Sequence, residues 1–302
     1  MYTVSDRDHF PDHEENIRIT TNFLPSPYMP DHGIDLTYRE HRHNFYELVF
    51  VLEGEGVHHI QKNIHKIKHG DLFIIQPMVP HYFEARGLKL VNIMFREEAL
   101  EPYHDQLKRI PGFTAFFTIE PGERIEKKTE PRLNVAGTQL EEVENIIRKC
   151  IREENTRPPG YKIEKNSLLI QLLVFIARQY QHLPSTDAEI AVRIGKLIGL
   201  LETEYTRDWS LEELCNIANM SKTTLRRHFI RAVGMSPLRF LTKTRVGQAC
   251  KLLVKTDNSM TEIAEKTGFK DSNYFARQFK NITGMSPREY RKRQGFTLTL
   301  TK

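Results

Sequence analysis

The chain has 302 residues, 39% hydrophobic and 27% charged, with a formal net charge of +5. That length holds two domains with cores of their own, and the composition is ordinary for a soluble globular protein. The three scattered cysteines, Cys150, Cys215 and Cys250, exclude a disulfide framework or a zinc-finger spacing and read as small core residues in a reducing compartment. The polar, acidic stretch Met1–Arg18 does not read as a signal peptide. The longest apolar run, Leu168 to Ala177, is interrupted by Gln171 and is too short to span a bilayer. A cytoplasmic protein is the expectation.

Residues 1–32 read as a polar arm that ends in a bend, Pro25-Ser26-Pro27-Tyr28-Met29-Pro30, or equally as a loosely packed strand. From Ile34 to Phe95 the pattern becomes β-type. Tyr46 to Leu52, Val57 to Ile60, Leu72 to Ile75 and Leu88 to Phe95 form short apolar runs, with turns at Gly54-Glu55-Gly56 and His69-Gly70-Asp71. Such spacing predicts a small antiparallel sandwich or barrel. His41, His43 and Glu47 lie in this region and share odd numbering with Val49 and Val51. On an extended strand they share one face, which points inward; His81 follows further along.

Three imidazoles and a carboxylate converging in a barrel mouth can ligate a divalent metal. They can instead hydrogen-bond the hydroxyls of a small polyol or sugar directly, or persist as satisfied polar residues of a scaffold. The residues leave all three readings open. His58, His59, His65 and His69 read as surface histidines of a hairpin.

A Pro/Gly-marked loop near residues 119–137 precedes a return to helical periodicity. Leu140, Val143, Ile146, Ile147, Cys150 and Ile151 mark one helix, and Pro158-Pro159-Gly160 breaks it. A second helix runs from about Lys162 to His182, with Leu168, Leu169, Leu172, Leu173 and Ile176 on its face. Leu183-Pro184-Ser185-Thr186-Asp187 reads as a linker, giving domains at 1–185 and 186–302.

The last hundred residues say the same thing twice. Ser221-Lys222-Thr223-Thr224-Leu225-Arg226-Arg227-His228-Phe229 leads to Gly234-Met235-Ser236-Pro237, and Asp271-Ser272-Asn273-Tyr274-Phe275-Ala276-Arg277-Gln278-Phe279 leads to Gly284-Met285-Ser286-Pro287. Upstream, Ser210 with Glu213 and Ser259 with Glu262 have capping-box spacing. Asn219 and Gly268 suit the turn between the two helices of each unit. Two tandem helix-turn-helix units are predicted. Leu225 with Phe229, and Phe275 with Phe279, would be buried. Thr223, Arg226, Arg227, Ser272, Asn273, Ala276 and Arg277 would face out, with arginine suited to guanine and asparagine to adenine. Pro237 starts an apolar-periodic helix, Leu238 to Leu253, ending near Lys255. Nineteen residues at ~1.5 Å rise give about 28 Å, a rod that sets two recognition helices roughly one DNA turn apart. Residues 188–302 carry 21 Lys+Arg against 11 Asp+Glu, and the remainder carries 23 against 28. The basic excess lies wholly in the half with the repeat, as phosphate contact requires.

The tandem units, the Gly-Met-Ser-Pro after each and the Gly268-Phe269-x-Asp271 turn resemble the AraC/XylS family of bacterial transcription regulators. That resemblance implies base contacts by Thr223, Arg226 and Arg227 and by Ser272, Asn273 and Arg277, and double-stranded DNA and RNA polymerase as partners. It also implies an N-terminal arm that closes over an effector or touches the DNA-binding half, and a homodimer contact through the leucine-rich hairpin; the bland alternative is that both helices only cover the barrel. The spacing of His41, His43, Glu47, Gly54, Gly70, Pro77 and His81 resembles the cupin signature, in which those four histidine and glutamate positions bind metal. It departs from that signature at Val79–Pro80, where a glycine is usual, and in having no asparagine after His81. His43-x-Phe45-Tyr46-Glu47-Leu48-Val49, Gly70-Asp71-x-Phe73, Asn92-Ile93 and Ile110-Pro111-Gly112-Phe113 resemble the sensor domains of rhamnose-operon activators and imply a small sugar effector such as L-rhamnose.

The fold expected is therefore α+β: a cupin-like antiparallel β-barrel with a helical hairpin, then an all-α domain of two helix-turn-helix units. The function expected is a carbohydrate-operon regulator, an activator rather than an enzyme. No cofactor is assigned, and a divalent metal in the pocket stays one of the three open readings. The alternatives are a metal-dependent cupin isomerase or oxygenase with a DNA-binding tail, and a regulator whose barrel only dimerises or binds a protein.

Overall fold

The alternating runs between Tyr46 and Phe95 form strands, and the computed structural model, which describes residues 2–4, 10, 15–21, 40–84, 87–122 and 133–299, arranges them in two sheets. The chain divides into two compact units, Met1–Gly195 and Lys196–Lys302. The Pro25–Pro30 bend and most of the loop near 119–137 lie outside the described residues.

In the first unit, β1 (Tyr2–Val4), β3 (His41–His43), β8 (His81–Glu84), β5 (Glu55–Ile60) and β6 (Asn63–Lys68) form one five-stranded sheet in that order. The other sheet has the order β10 (Leu133–Asn134), β7 (Asp71–Ile75), β4 (Tyr46–Glu53), β9 (Lys89–Phe95) and β2 (Ile17–Thr21). β1 runs parallel to β3, and the remaining described pairs are antiparallel. The core lies between the sheets: Val49, Val51, Phe73, Ile75 and Leu90 from one meet Ile60, Ile67 and Phe83 from the other. Strands β6 and β8, absent from the sequence reading, complete the wall opposite β4.

The single strand predicted to carry His41, His43 and Glu47 is in fact two. The chain bends at Asn44–Phe45 and crosses from one sheet to the other, so β3 and β4 belong to opposite walls. Odd-numbered side chains still point inward on both sides of the bend, because the crossing preserves the alternation.

β4 is buried along both of its faces, because helices cover the outer side of its sheet. Helix α1 (Thr138–Thr156) packs on β2, and α2 (Tyr161–Gln181) packs on β2, β10 and the helical segment Pro111–Ile119. A Cβ on Gly112 would lie 1.9 Å from the carbonyl oxygen of Ala177, so only glycine lets that segment cross α2 this closely. Leu168, Leu169, Leu172, Leu173 and Ile176 are all buried within this one chain. These five side chains therefore serve the barrel's own cover. Cys150 lies in this layer, and burial pushes its thiol up to about 12, as a core cysteine requires.

Residues 182–185 connect α2 to α3 (Thr186–Thr203), the helix within which the two units divide. In the second unit the capping boxes form as spaced: Ser210 with Glu213 starts α4 (Leu211–Ala218), and Ser259 with Glu262 starts α7 (Met260–Lys266). Ser221 caps α5 (Lys222–Val233), accepting from the Thr224 amide at 3.2 Å, and Asp271 caps α8 (Ser272–Thr283). The connecting α6 runs from Pro237 to Lys255, 19 residues, the length predicted. Its Leu238 is exposed rather than part of the buried stripe. Trp209 is buried, with its indole N–H donating to the Glu204 carbonyl at 3.1 Å. The second helix-turn-helix closes on Ile263, Phe269, Phe275 and Phe279 beneath Val246 and Leu253 of α6. Arg291 on α9 (Pro287–Thr299) donates to the carbonyls of Leu253, Thr256 and Asn258, which tie off the end of α6. Among the described residues, no helix is long and apolar enough to cross a membrane.

Candidate effector pocket and nucleic-acid interface

β3, β4 and β8 bring the polar residues of the barrel together. His41 stands directly opposite His81 in the β3–β8 register. His43 reaches across the Asn44–Phe45 bend so that its Nε2 lies 2.9 Å from Oε2 of Glu47. His81 Nε2 lies 3.3 Å from the same oxygen. The turn before β8 is pinned to this site, because the Met78 amide, at a left-handed φ of 65°, donates to the His43 carbonyl at 2.6 Å. The backbone position that favours glycine is thus Met78, just before the Val79–Pro80 stretch where a glycine is usual.

All four predicted residues are buried, but they do not converge equally. One donor atom from each of His43, Glu47 and His81 lies within 4.8 Å of the others, and His41 does not join that group. Register explains this: His41 sits beside His81 across the strand pair, with ring centroids 4.3 Å apart, so it flanks the site. Burial by itself raises the Glu47 pKa, but the hydrogen bonds and charges of His43 and His81 outweigh it and hold the carboxyl well below its usual range. Glu47 is therefore a buried carboxylate held by two imidazoles.

Two histidines read as surface residues are in the barrel: His58 is 0% and His65 2% exposed. They face each other across β5 and β6. The His58 ring lies between Phe83 and Phe73, at centroid distances of 4.6 Å and 4.9 Å. The signal was available, since His58 shares parity with Ile60 and His65 shares parity with Ile67, and both isoleucines are core. Turn-rich composition and several nearby lysines masked it. His59, on the other parity, stacks outside on Tyr82 at 4.1 Å.

A second group escaped the sequence reading altogether. Glu15, Arg18, Glu154 and Lys165 are buried and joined by ion pairs, with Arg157 at their edge. They lie in the segment leading into β2, in β2 itself, in α1 and in α2. No local pattern announces a cluster that joins Lys165 to Glu15 across 150 residues and to Glu154 across 11.

In the second unit, Leu225, Phe229, Phe275 and Phe279 are buried, and Thr223, Arg226, Arg227, Ser272, Asn273 and Arg277 are exposed. Helical spacing forces that division, because the apolar pairs at i and i+4 lock each helix to its unit and turn the polar positions out. Ala276, placed on the outer face by the sequence, is only half-exposed. Arg227 Nη2 lies 3.3 Å from His228 Nε2, and the Arg277 guanidinium lies 5.9 Å from the Tyr274 ring. Neither arginine is tied to a carboxylate in these contacts. Arg245 is occupied internally, donating to the carbonyls of Tyr205 and Arg207.

Residues 214–293 match the model of a helix-turn-helix domain, and residues 31–173 match that of the AraC-like ligand-binding domain. The chain is similar to the HTH-type transcriptional activator RhaR of Shigella flexneri serotype 5b (strain 8401), with 30% identity over 84% of this chain and 87% of that one. It is 29% identical to RhaR of Enterobacter sp. (strain 638), over 85% of this chain and 88% of that one. The solved C-terminal domain of AraT, a response regulator from Geobacillus stearothermophilus, is 31% identical over 33% of this chain and 84% of that chain, with a TM-score of 0.32. A ligand-binding barrel ahead of tandem helix-turn-helix units, and this likeness along most of the chain, place the protein in the AraC/XylS family of transcription regulators.

Proposed function

We propose that this protein is a sugar-responsive transcription activator. A sensor within residues 1–185 binds a small carbohydrate, and a DNA-binding half within residues 186–302 occupies two successive major grooves. The observation that carries the DNA half is the matched pair of helices α5 and α8. Each is locked by a buried apolar pair and each presents an arginine beside small polar residues. In this reading Thr223, Arg226, Arg227, Ser272, Asn273 and Arg277 read base edges. The capped helix ends and flanking lysines set the register on phosphates.

The sensor reading rests on the buried polar group in the barrel. His41, His43, Glu47 and His81 offer a carboxylate acceptor and imidazoles able to donate or accept, which is what ring hydroxyls require. The pocket is assigned to binding rather than turnover, and the resemblance to rhamnose-operon sensors makes L-rhamnose the first sugar to try. Binding would shift the population of states competent to occupy DNA as a homodimer and to engage RNA polymerase in the cytoplasm.

Thermal unfolding of the full chain against a panel of sugars tests the sensor half. A sugar at 100 times its dissociation constant adds about 2.7 kcal/mol to the state that binds it. The expected result is a shift with one sugar, lost in Glu47→Gln measured against its own sugar-free melt. An undiminished shift in Glu47→Gln would place the effector elsewhere, and no shift with any sugar would rule out a carbohydrate effector.

A further inference from the structure

We infer that His43, Glu47 and His81 form a binding site for one divalent transition-metal ion. The inference concerns the pocket assigned above to the effector, but it does not depend on that assignment. Its first support is how the two histidines are hydrogen-bonded. His43 Nδ1 lies 2.7 Å from the Phe45 carbonyl oxygen, and His81 Nδ1 lies 3.0 Å from that of Val79. A carbonyl oxygen only accepts, so each Nδ1 carries a proton and donates it. In a neutral imidazole the lone pair is then on Nε2. Both Nε2 atoms are turned toward one oxygen of a carboxylate, at 2.9 Å and 3.3 Å.

Three lone-pair atoms thus surround one small volume from which solvent is excluded. The two imidazole ring centroids lie 5.1 Å apart. One divalent cation satisfies all three donors at once.

The donor set and its support fit the same conclusion. Two imidazoles and one carboxylate are the ligands of zinc and of non-haem iron sites, and three protein ligands leave coordination positions for water or for a hydroxyl of a bound molecule. Ligand atoms about 2.1 Å from one ion, at tetrahedral or octahedral angles, stand about 2.9–3.4 Å apart. The two measured nitrogen–oxygen separations fall in that range. Carbonyl acceptors on the remote ring nitrogens are the usual outer support of metal-bound histidine, fixing tautomer and ring orientation. Both histidines have that support here, from Phe45 at the β3–β4 bend and from Val79 in the turn ahead of β8. His41, flanking His81, is outside the ligand set.

The test is a titration of the full chain, stripped with a chelator and dialysed, with Co²⁺ in the absence of any sugar. Visible d–d absorption and calorimetry are both read. One tightly bound ion per chain is expected, with displacement by Zn²⁺. Glu47→Gln and the pair His43→Gln with His81→Gln should each weaken binding by at least about 100-fold, the upper end of what even an outer-shell partner contributes. His59→Gln, outside the barrel, should keep the wild-type affinity and spectrum. Failure of the wild-type protein to take up Co²⁺ would overturn the inference whatever the variants do. Tight binding that survives in the His43/His81 double variant would also overturn it, by placing the ion on other residues. Because no sugar is present, either failure leaves the effector reading untouched. A sugar-induced thermal shift that persists in chelator would likewise leave the Co²⁺ result standing.

Discussion

Replacing Glu154 with glutamine destabilises the N-terminal unit by about 3–5 kcal/mol, the cost of removing one partner from a buried ionic group. In the wild type, Glu154 accepts from Lys165 Nζ at 2.9 Å, from Arg157 Nη2 at 2.7 Å and from the Ile19 amide at 3.2 Å, and it lies 3.5 Å from Arg18 Nε. The substitution keeps the shape and leaves three cations facing the carboxylate of Glu15 alone. A second substitution, Lys165→Met, removes one of those cations. The double variant is therefore expected to lose less than the sum of the two single losses, with a coupling of about 0.5–3 kcal/mol.

The same site gives a pH dependence. Burial alone would raise the Glu154 pKa, but Lys165, Arg157 and Arg18 outweigh it and hold it below the ordinary value of 4.5. A carboxyl with a depressed folded-state pKa adds stability above its unfolded value and loses it as pH falls through the folded value. The gap between wild type and Glu154→Gln should therefore be full at neutral pH and close progressively as the pH falls below 4.5. Urea unfolding at a series of pH values measures it, and a gap that stays constant into acid would show that the charge of Glu154 is not what stabilises the cluster. The consequence for architecture is direct, because this cluster ties edge strand β2 to both covering helices.

Changing Arg227 and Arg277 together to alanine should remove most sequence preference while leaving weak, salt-sensitive DNA binding. Each guanidinium is exposed, on α5 and α8 respectively, with its helix locked from beneath by Phe229 or Phe279. Loss of the side chain therefore leaves the helix in place, and circular dichroism and melting should be unchanged. An arginine bidentate to guanine contributes about 1–3 kcal/mol of discrimination. The two lie in different helices without shared partners, so their effects should nearly add, to about 2–6 kcal/mol. Fluorescence anisotropy with a selected site and a scrambled one, across a range of salt, measures the ratio that matters. An unchanged ratio between the two DNAs would remove both arginines from the base-reading set, and an equal loss on both DNAs would make them phosphate contacts.

The C-terminal half was legible residue by residue because its determinants are local. Ser210 with Glu213, Ser259 with Glu262, Pro237 and the caps at Ser221 and Asp271 all act within one turn of helix, so spacing along the chain is spacing in space. The buried pairs Leu225–Phe229 and Phe275–Phe279 follow from the same 3.6-residue period, and they alone turn the arginines outward. The β-type character of residues 46–95 and the inward parity of His41, His43 and Glu47 were legible for the same reason, since alternation is local too.

What the sequence could not show depends on which distant segments meet. The bend at Asn44–Phe45 sends β3 and β4 to opposite walls, so that His43 approaches Glu47 across a corner and His81 arrives from a third strand. Strand pairing also puts His58 opposite His65 inside the barrel, and it sets His41 beside His81 rather than among the converging donors. The links from Glu15 and Arg18 to Lys165 and Glu154 are made only by packing. Periodicity determines which face of a strand or helix a side chain occupies, and only the tertiary structure decides what that face meets: the sequence alone determined the helix-turn-helix repeat and its exposed arginines, and the fold decided the three-residue site in the barrel and the ion cluster that holds its cover.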